Sequence, residues 1–175
     1  NLTVDNVVVK NYTALPRSTT VVETIPGFLP GIHFWNVTCL DLAGNMNIVT
    51  TSWNFTVPKP DLVITSENIT FDNYNALEKE NITIFATVFN LGNINASNII
   101  VQFFKEDPAS GGTQIGDNIT IGNLNENENL TVNVSWITVI GSSRIYVVVD
   151  PPYSTGGLIN ESNETNNKAY QTYTV

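Results

Sequence analysis

Asn81-Ile82-Thr83-Ile84-Phe85-Ala86-Thr87-Val88-Phe89-Asn90 is the stretch whose reading decides the fold. Ile82, Ile84, Ala86 and Val88 recur at every second position, the interval at which β-strand side chains return to one face. A helix would need apolar residues three and four apart. Downstream the alternation returns at Ile99, Val101 and Phe103, at Leu130, Val132, Val134 and Trp136, and at Ile145, Val147 and Val149. Upstream it is found at Trp35, Val37 and Cys39 and at Trp53, Phe55 and Val57. Turn-forming clusters separate these runs: Asp5-Asn6, Leu42 to Asn45, Leu91-Gly92-Asn93, Asp107 to Gly112, and Gly141-Ser142-Ser143. Asn75 to Glu80 has helix-forming composition, but so short a piece reads as a loop. Short strands without helices predict an all-β chain of tandem immunoglobulin-like antiparallel β-sandwiches.

Pro58-Lys59-Pro60 marks a boundary, because two prolines around one lysine favour an extended, semi-rigid connector. Residues 61–175 are long enough for one seven-stranded sandwich. Residues 1–57 have room for about four strands, roughly half a sandwich. The expectation is a first module that is incomplete as it stands, with its remaining strands supplied by a preceding segment or by another chain.

Twelve Asn-x-Thr/Ser triplets, the acceptor signal for N-linked sugar, begin at Asn1, Asn11, Asn36, Asn54, Asn68, Asn81, Asn95, Asn118, Asn129, Asn133, Asn160 and Asn163. With 25 Asn, 21 Thr and 10 Ser in 175 residues, random order yields roughly four. In ten of them the middle residue is apolar, which places Asn and Thr on the outer face of a strand and the middle residue inside. Asn is a poor strand former, and sugar attachment is a reason for its presence. An Asn/Thr-rich solvent face that generates triplets by accident is the other reading. The triplets at Asn160 and Asn163 have Glu centres and fall in a loop.

The net charge of −9, with only seven Lys and Arg, argues against a nucleic-acid partner. No apolar run of membrane-spanning length occurs. The chain opens directly on strand-like sequence, not on a signal peptide, so it reads as a mature product or an excised segment. Acceptor triplets function where a glycosylation machinery meets the chain, which implies an extracellular, cell-surface or secreted protein. In such a compartment the single cysteine, Cys39, either pairs outside the segment or is a buried thiol packed as a small hydrophobe.

The order of motifs in residues 60–175 resembles the CARDB family, the cell adhesion related domain found in bacteria and widespread in archaeal surface proteins. The matching residues are Pro60-Asp61-Leu62-Val63, then Val88-Phe89-Asn90-Leu91-Gly92, then Ala96 to Phe103. After these come Val132 to Trp136, Val149-Asp150-Pro151, and Asn163-Glu164-Thr165-Asn166-Asn167. Pro152 and the Gly156-Gly157 pair depart from the pattern. Residues 1–57 resemble the end of an immunoglobulin-like domain of archaeal and bacterial surface proteins. The resemblance is carried by Gly31 to Cys39, Asp41 to Asn45, and Trp53 to Val57. That second resemblance implies a partner for Cys39 immediately upstream of Asn1.

Material for catalysis is sparse. His33 is the only histidine, and nothing assembles a nucleophile, base and orienting carboxylate. The acidic loop offers Asp150, Glu161 and Glu164, with Asn160 and Asn166, as oxygen ligands for a Ca2+ ion. Without a metal, the same Asn and Asp side chains would hold the loop by bonding nearby backbone. Phe85, Phe89 and Phe104 stand out of phase with the inward residues. They either form one outer aromatic face for a neighbouring module or subunit, or are covered by the protein's own loops. The three tryptophans are expected to point inward, which counts against a sugar-stacking surface. The functional expectation is a non-catalytic structural or adhesive segment of a glycosylated stalk or filament. The alternatives are a substrate-targeting module of a secreted enzyme and a filament subunit built by strand donation.

Overall fold

The decisive stretch is a strand, β7 (Asn81–Asn90), with Ile82, Ile84, Ala86 and Val88 buried and the intervening side chains half-covered. The structure, a computed structural model, describes every residue other than Ala14, 16–19, Pro30, Leu42 and 48–51. The turn expected at Leu42 to Asn45 therefore lies partly outside the described residues. The chain divides into two compact units, Asn1–Pro58 and Lys59–Val175.

In the second unit β7 lies at the centre of one sheet. It pairs antiparallel with β10 (Asn129–Ile137) on one side, and on the other with two short strands, β5 (Leu62–Val63) and β6 (Ile69–Phe71). The second sheet has the order β12 (Lys168–Thr174), β11 (Ser142–Val149), β8 (Ala96–Lys105), β9 (Thr113–Leu124), again all antiparallel. The inward residues of both sheets form one core. Ile82, Ile84, Ala86, Val88, Val132 and Trp136 of the first sheet join Ile99, Val101, Phe103, Ile145, Val147 and Val149 of the second. This is sandwich packing built from alternating side chains. Asn75 to Glu80 is a loop of bends and turns between β6 and β7.

The first unit is a four-stranded sheet in the order β2 (Val7–Lys10), β1 (Leu2–Val4), β3 (Gly31–Val37), β4 (Trp53–Val57). Asp5 and Asn6 both have positive φ, 47° and 66°. They form the tight hairpin turn whose twist matches that of its strands. A row of aligned residues crosses this sheet: Val7, Val4, Trp35 and Trp53. Its ends are open, with Val7 63% and Trp53 49% exposed. Trp53 is therefore not the inward residue expected, because the described part of the first unit lays no second sheet over this face. Trp35 is half-buried and Trp136 is buried.

The aromatic expectation is corrected as well. Phe85 and Phe89 belong to β7 and Phe104 to β8, so the three lie on two sheets and line no common face. Each is half-buried.

Candidate functional site

The connection from β11 to β12, residues 150–167, gathers the acidic residues of interest. Asp150 follows the last core residue of β11 with φ 49°, and its N–H donates to Ile100 O at 2.8 Å. This turn aims the carboxylate into the loop, where Oδ2 accepts from the N–H groups of Leu158 (2.8 Å) and Ile159 (2.7 Å). A Cβ on Gly157 would stand 2.1 Å from that Oδ2, and Gly157 has φ +78°. Only glycine fits against the carboxylate there, which accounts for one member of the glycine pair.

Glu161 is 4% exposed. Its Oε2 accepts from Leu62 N–H and its Oε1 from Asn167 Nδ2 at 2.6 Å. Burial pushes its pKa up to about 7, against the opposing effect of those two hydrogen bonds, and the charges of Glu164 and Asp150 add to the rise. Burial also raises the Asp150 pKa, opposed by the Ile159 and Leu158 N–H groups. Glu164 Oε1 accepts from Glu161 N–H at 2.7 Å. Asn166 Nδ2 donates to Asp61 Oδ1 at 2.9 Å, tying the loop to the start of the unit.

These contacts alter the expected ligand set. Among the described residues no group of three or more His, Cys, Asp or Glu side chains is placed to hold a metal ion. Both oxygens of Glu161 are taken by protein donors. Asn160 is exposed and its Oδ1 accepts from Lys59 Nζ, outside the cluster. Asn167, which the sequence reading did not single out as a ligand, is buried among the acids. Its signal was its place beside Asn166 in the loop's closing motif.

The acceptor asparagines lie elsewhere and share a different property. Asn1, Asn11, Asn54, Asn81, Asn95, Asn118, Asn129, Asn133, Asn160 and Asn163 are exposed, and Asn36 and Asn68 are half-buried. Of the ten apolar middle residues all but Leu130 are buried or half-buried; Leu130 is 39% exposed. Several acceptors use their side-chain oxygen within the fold. Asn68 Oδ1 accepts from Thr65 Oγ1 (2.7 Å), Asn118 Oδ1 from Gln102 Nε2 (2.9 Å), and Asn163 Oδ1 from Thr165 Oγ1 (2.7 Å). Among the described residues, the asparagines that donate through Nδ2 are Asn45, Asn47, Asn90, Asn123, Asn125, Asn166 and Asn167. None of these seven begins an acceptor triplet. Among the described residues the nitrogen to which a sugar would bond is thus uncommitted at all twelve acceptors, whereas seven of the thirteen other asparagines commit theirs.

The CARDB family model matches residues 59–171. The chain belongs to the CARDB family. The crystal structure of the CARDB domain of the Pyrococcus furiosus PF1109 protein, described as a complex with di-metal ions, is 24% identical. That match covers 67% of this chain and 89% of that one, with a TM-score of 0.52. The solution structure of the same domain is 25% identical over 68% of this chain and 97% of that one, TM-score 0.52. A Geobacter metallireducens domain is 29% identical over 62% of this chain and 91% of that one, TM-score 0.48. No curated protein matches the chain. CARDB modules are surface-associated, adhesion-related domains, and membership accords with a non-catalytic role. Among the described residues no helix is long and apolar enough to cross a membrane.

The outer face of the β12–β11–β8–β9 sheet of the CARDB module carries a groove of about 470 Å³. Phe104, Val148 and Lys168 form its floor, and Pro108, Pro152 and Tyr153 wall it. Lys168 Nζ bonds Asp107 Oδ1 at 3.1 Å and lies 5.0 Å from the centre of the Tyr153 ring. The signal for this face was present in β11, where Tyr146 and Val148 are apolar out of phase with Ile145, Val147 and Val149. Both are buried, at 7% and 2% exposed.

Ahead of the CARDB module, Cys39 is exposed, beyond the end of β3 at Val37, so it is not the buried thiol that was one of its two readings. His33 stacks on Phe55, with Phe28 tilted against both rings, and bonds Asp5 Oδ2 through Nδ1 at 2.6 Å.

Proposed function

We propose that this chain is a non-catalytic segment of an N-glycosylated extracellular surface protein, a stalk or filament in which β-sandwich modules give reach. The observation that carries the reading is the state of the acceptors: exposed or half-buried, half of them on strands, with Nδ2 bound to nothing in the described fold. Sugars there would shield outer faces and edges from proteases and from pairing with other chains. Glycopeptide mass spectrometry of the protein from its native source tests this. Hexose- or hexosamine-bearing peptides at several of the twelve positions are expected, and unmodified asparagine at all of them would defeat the reading.

The partners in this reading are neighbouring modules or subunits and the glycans themselves. The open row of Val7 and Trp53 favours completion of the first module by further strands, from the same chain or from another copy. The register would also allow a covalent element. Asn1 and Thr38 exchange both backbone hydrogen bonds, at 2.7 and 2.9 Å. A residue immediately preceding Asn1 would then face Cys39 as a non-hydrogen-bonded pair, whose short Cα separation suits a disulfide. A longer chain with cysteine there should show no free thiol in the native state.

A further inference from the structure

We propose that the 150–167 loop is a binding site for a hard divalent cation of the calcium type, held by oxygens of Asp150, Glu164, Asn166 and Asn167. Among the described residues, the buried side-chain polar atoms without a hydrogen-bond partner are Asp150 Oδ1, Glu164 Oε2, Asn166 Oδ1 and Asn167 Oδ1. All are oxygens and all belong to this loop. Loose packing would leave donors bare as well as acceptors, and would scatter them over the fold. A buried oxygen with no donor loses its hydration without compensation, and a cation removes that cost for several oxygens at once.

The four groups share one construction. Each has two polar atoms, of which one is tied and the other is bare. Asp150 Oδ2 is held by Leu158 and Ile159 N–H, and Glu164 Oε1 by Glu161 N–H. Asn166 Nδ2 is held by Asp61 and Asn167 Nδ2 by Glu161. The direction of each bare oxygen is therefore set before any ion arrives, which is the preorganisation a metal site requires. Glu161 acts here as a positioning residue. Asp150 and Asn167 are 1% and 2% exposed, so bulk water does not serve their oxygens.

Sequence neighbours bring the groups together. A Cβ on Gly156 would lie 3.6 Å from Glu164 Oε2, and one on the adjacent Gly157 2.1 Å from Asp150 Oδ2. Asn167 O accepts from Val149 N–H at 2.8 Å, next to Asp150. Among the described residues no lysine bonds these oxygens: Lys59 Nζ is engaged with Asn160 and Lys168 Nζ with Asp107. Two carboxylate and two carboxamide oxygens, with no nitrogen or sulfur, suit calcium, whose remaining positions backbone carbonyls and water can fill. They do not suit zinc or copper.

The test uses the full chain stripped with EDTA and titrated calorimetrically with CaCl2 at neutral pH, alongside thermal melts. One saturable site is expected, with the melting temperature of the CARDB transition raised by about 5 °C or more at saturation and restored by EDTA. Asp150→Asn and Glu164→Gln keep the shape and the tied acceptor but remove charge. Each should weaken Ca2+ binding roughly tenfold or more while leaving the melt in EDTA undiminished. A melt identical in CaCl2 and EDTA with no binding heat would overturn the proposal, as would wild-type affinity retained in both variants.

Discussion

Asp5 serves two ends at once. It occupies the turn between β1 and β2, and its carboxylate accepts from His33 Nδ1 at 2.6 Å and from Phe34 N–H at 3.0 Å. The hydrogen bond to Asp5, followed by that to the Leu29 carbonyl, raises the His33 pKa above its usual 6.5. The same contact, with the Phe34 N–H, lowers the Asp5 pKa below 3.8. The histidine contribution to stability is complete below pH 6.5 and is lost as pH rises through the folded value. The aspartate contribution is present above pH 3.8 and is lost as pH falls through its own folded value. The first unit should therefore loosen on the alkaline side of the histidine midpoint. In an NMR titration the His33 ring protons should show a midpoint above 6.5, which Asp5→Asn brings down. An unchanged midpoint in that variant would remove Asp5 as the cause. The turn at Asp5-Asn6 was legible in two residues. Its link to a histidine 28 positions away required the pairing of β1 with β3.

The end of β7 shows why a short motif recurs in an element. Asn90 is wholly buried. Its Oδ1 accepts from Asp61 N–H (3.2 Å) and Gly92 N–H (3.1 Å), and its Nδ2 donates to Ile94 O (2.8 Å) and Leu124 O (3.1 Å). One side chain thus clamps the entry strand β5, its own turn and the end of β9. Gly92 must be glycine for a related reason, since a Cβ there would lie 2.4 Å from Lys59 O. Asn90→Ala strands several buried backbone groups, each costing about 1–3 kcal/mol. Urea unfolding of the CARDB transition should register a loss of about 3 kcal/mol or more, and a loss below about 1 kcal/mol would mean that water replaces the clamp. Alternation revealed β7 and β8 directly. In β11 the alternation picked out the core-facing Ile145, Val147 and Val149, while the continuous apolar run that also includes Tyr146 and Val148 is what signals a second covered face.

At the level of the whole chain, the buried hydrophobic cluster belongs entirely to the second unit, from Leu62 to Tyr173. A fragment of residues 59–175 should therefore fold alone, melting cooperatively by circular dichroism within a few degrees of the corresponding transition in the full chain. A fragment that stays unfolded would show that the CARDB module depends on what precedes it.

The strand rhythm, the turns and the acceptor triplets were determined by the sequence alone, because each depends on residues within a few positions of one another and on a two-residue period. The fate of the acidic loop was not. Glu161 and Asn160 have the chemistry of ligands, yet Leu62 N–H and Lys59 Nζ occupy their oxygens, while Asp150, Glu164, Asn166 and Asn167 keep one bare oxygen each. Which polar atoms find partners and which do not is a question of three-dimensional neighbours. Only the closing of one sheet on the other, which brings residues 59–62 against 160–167, could answer it.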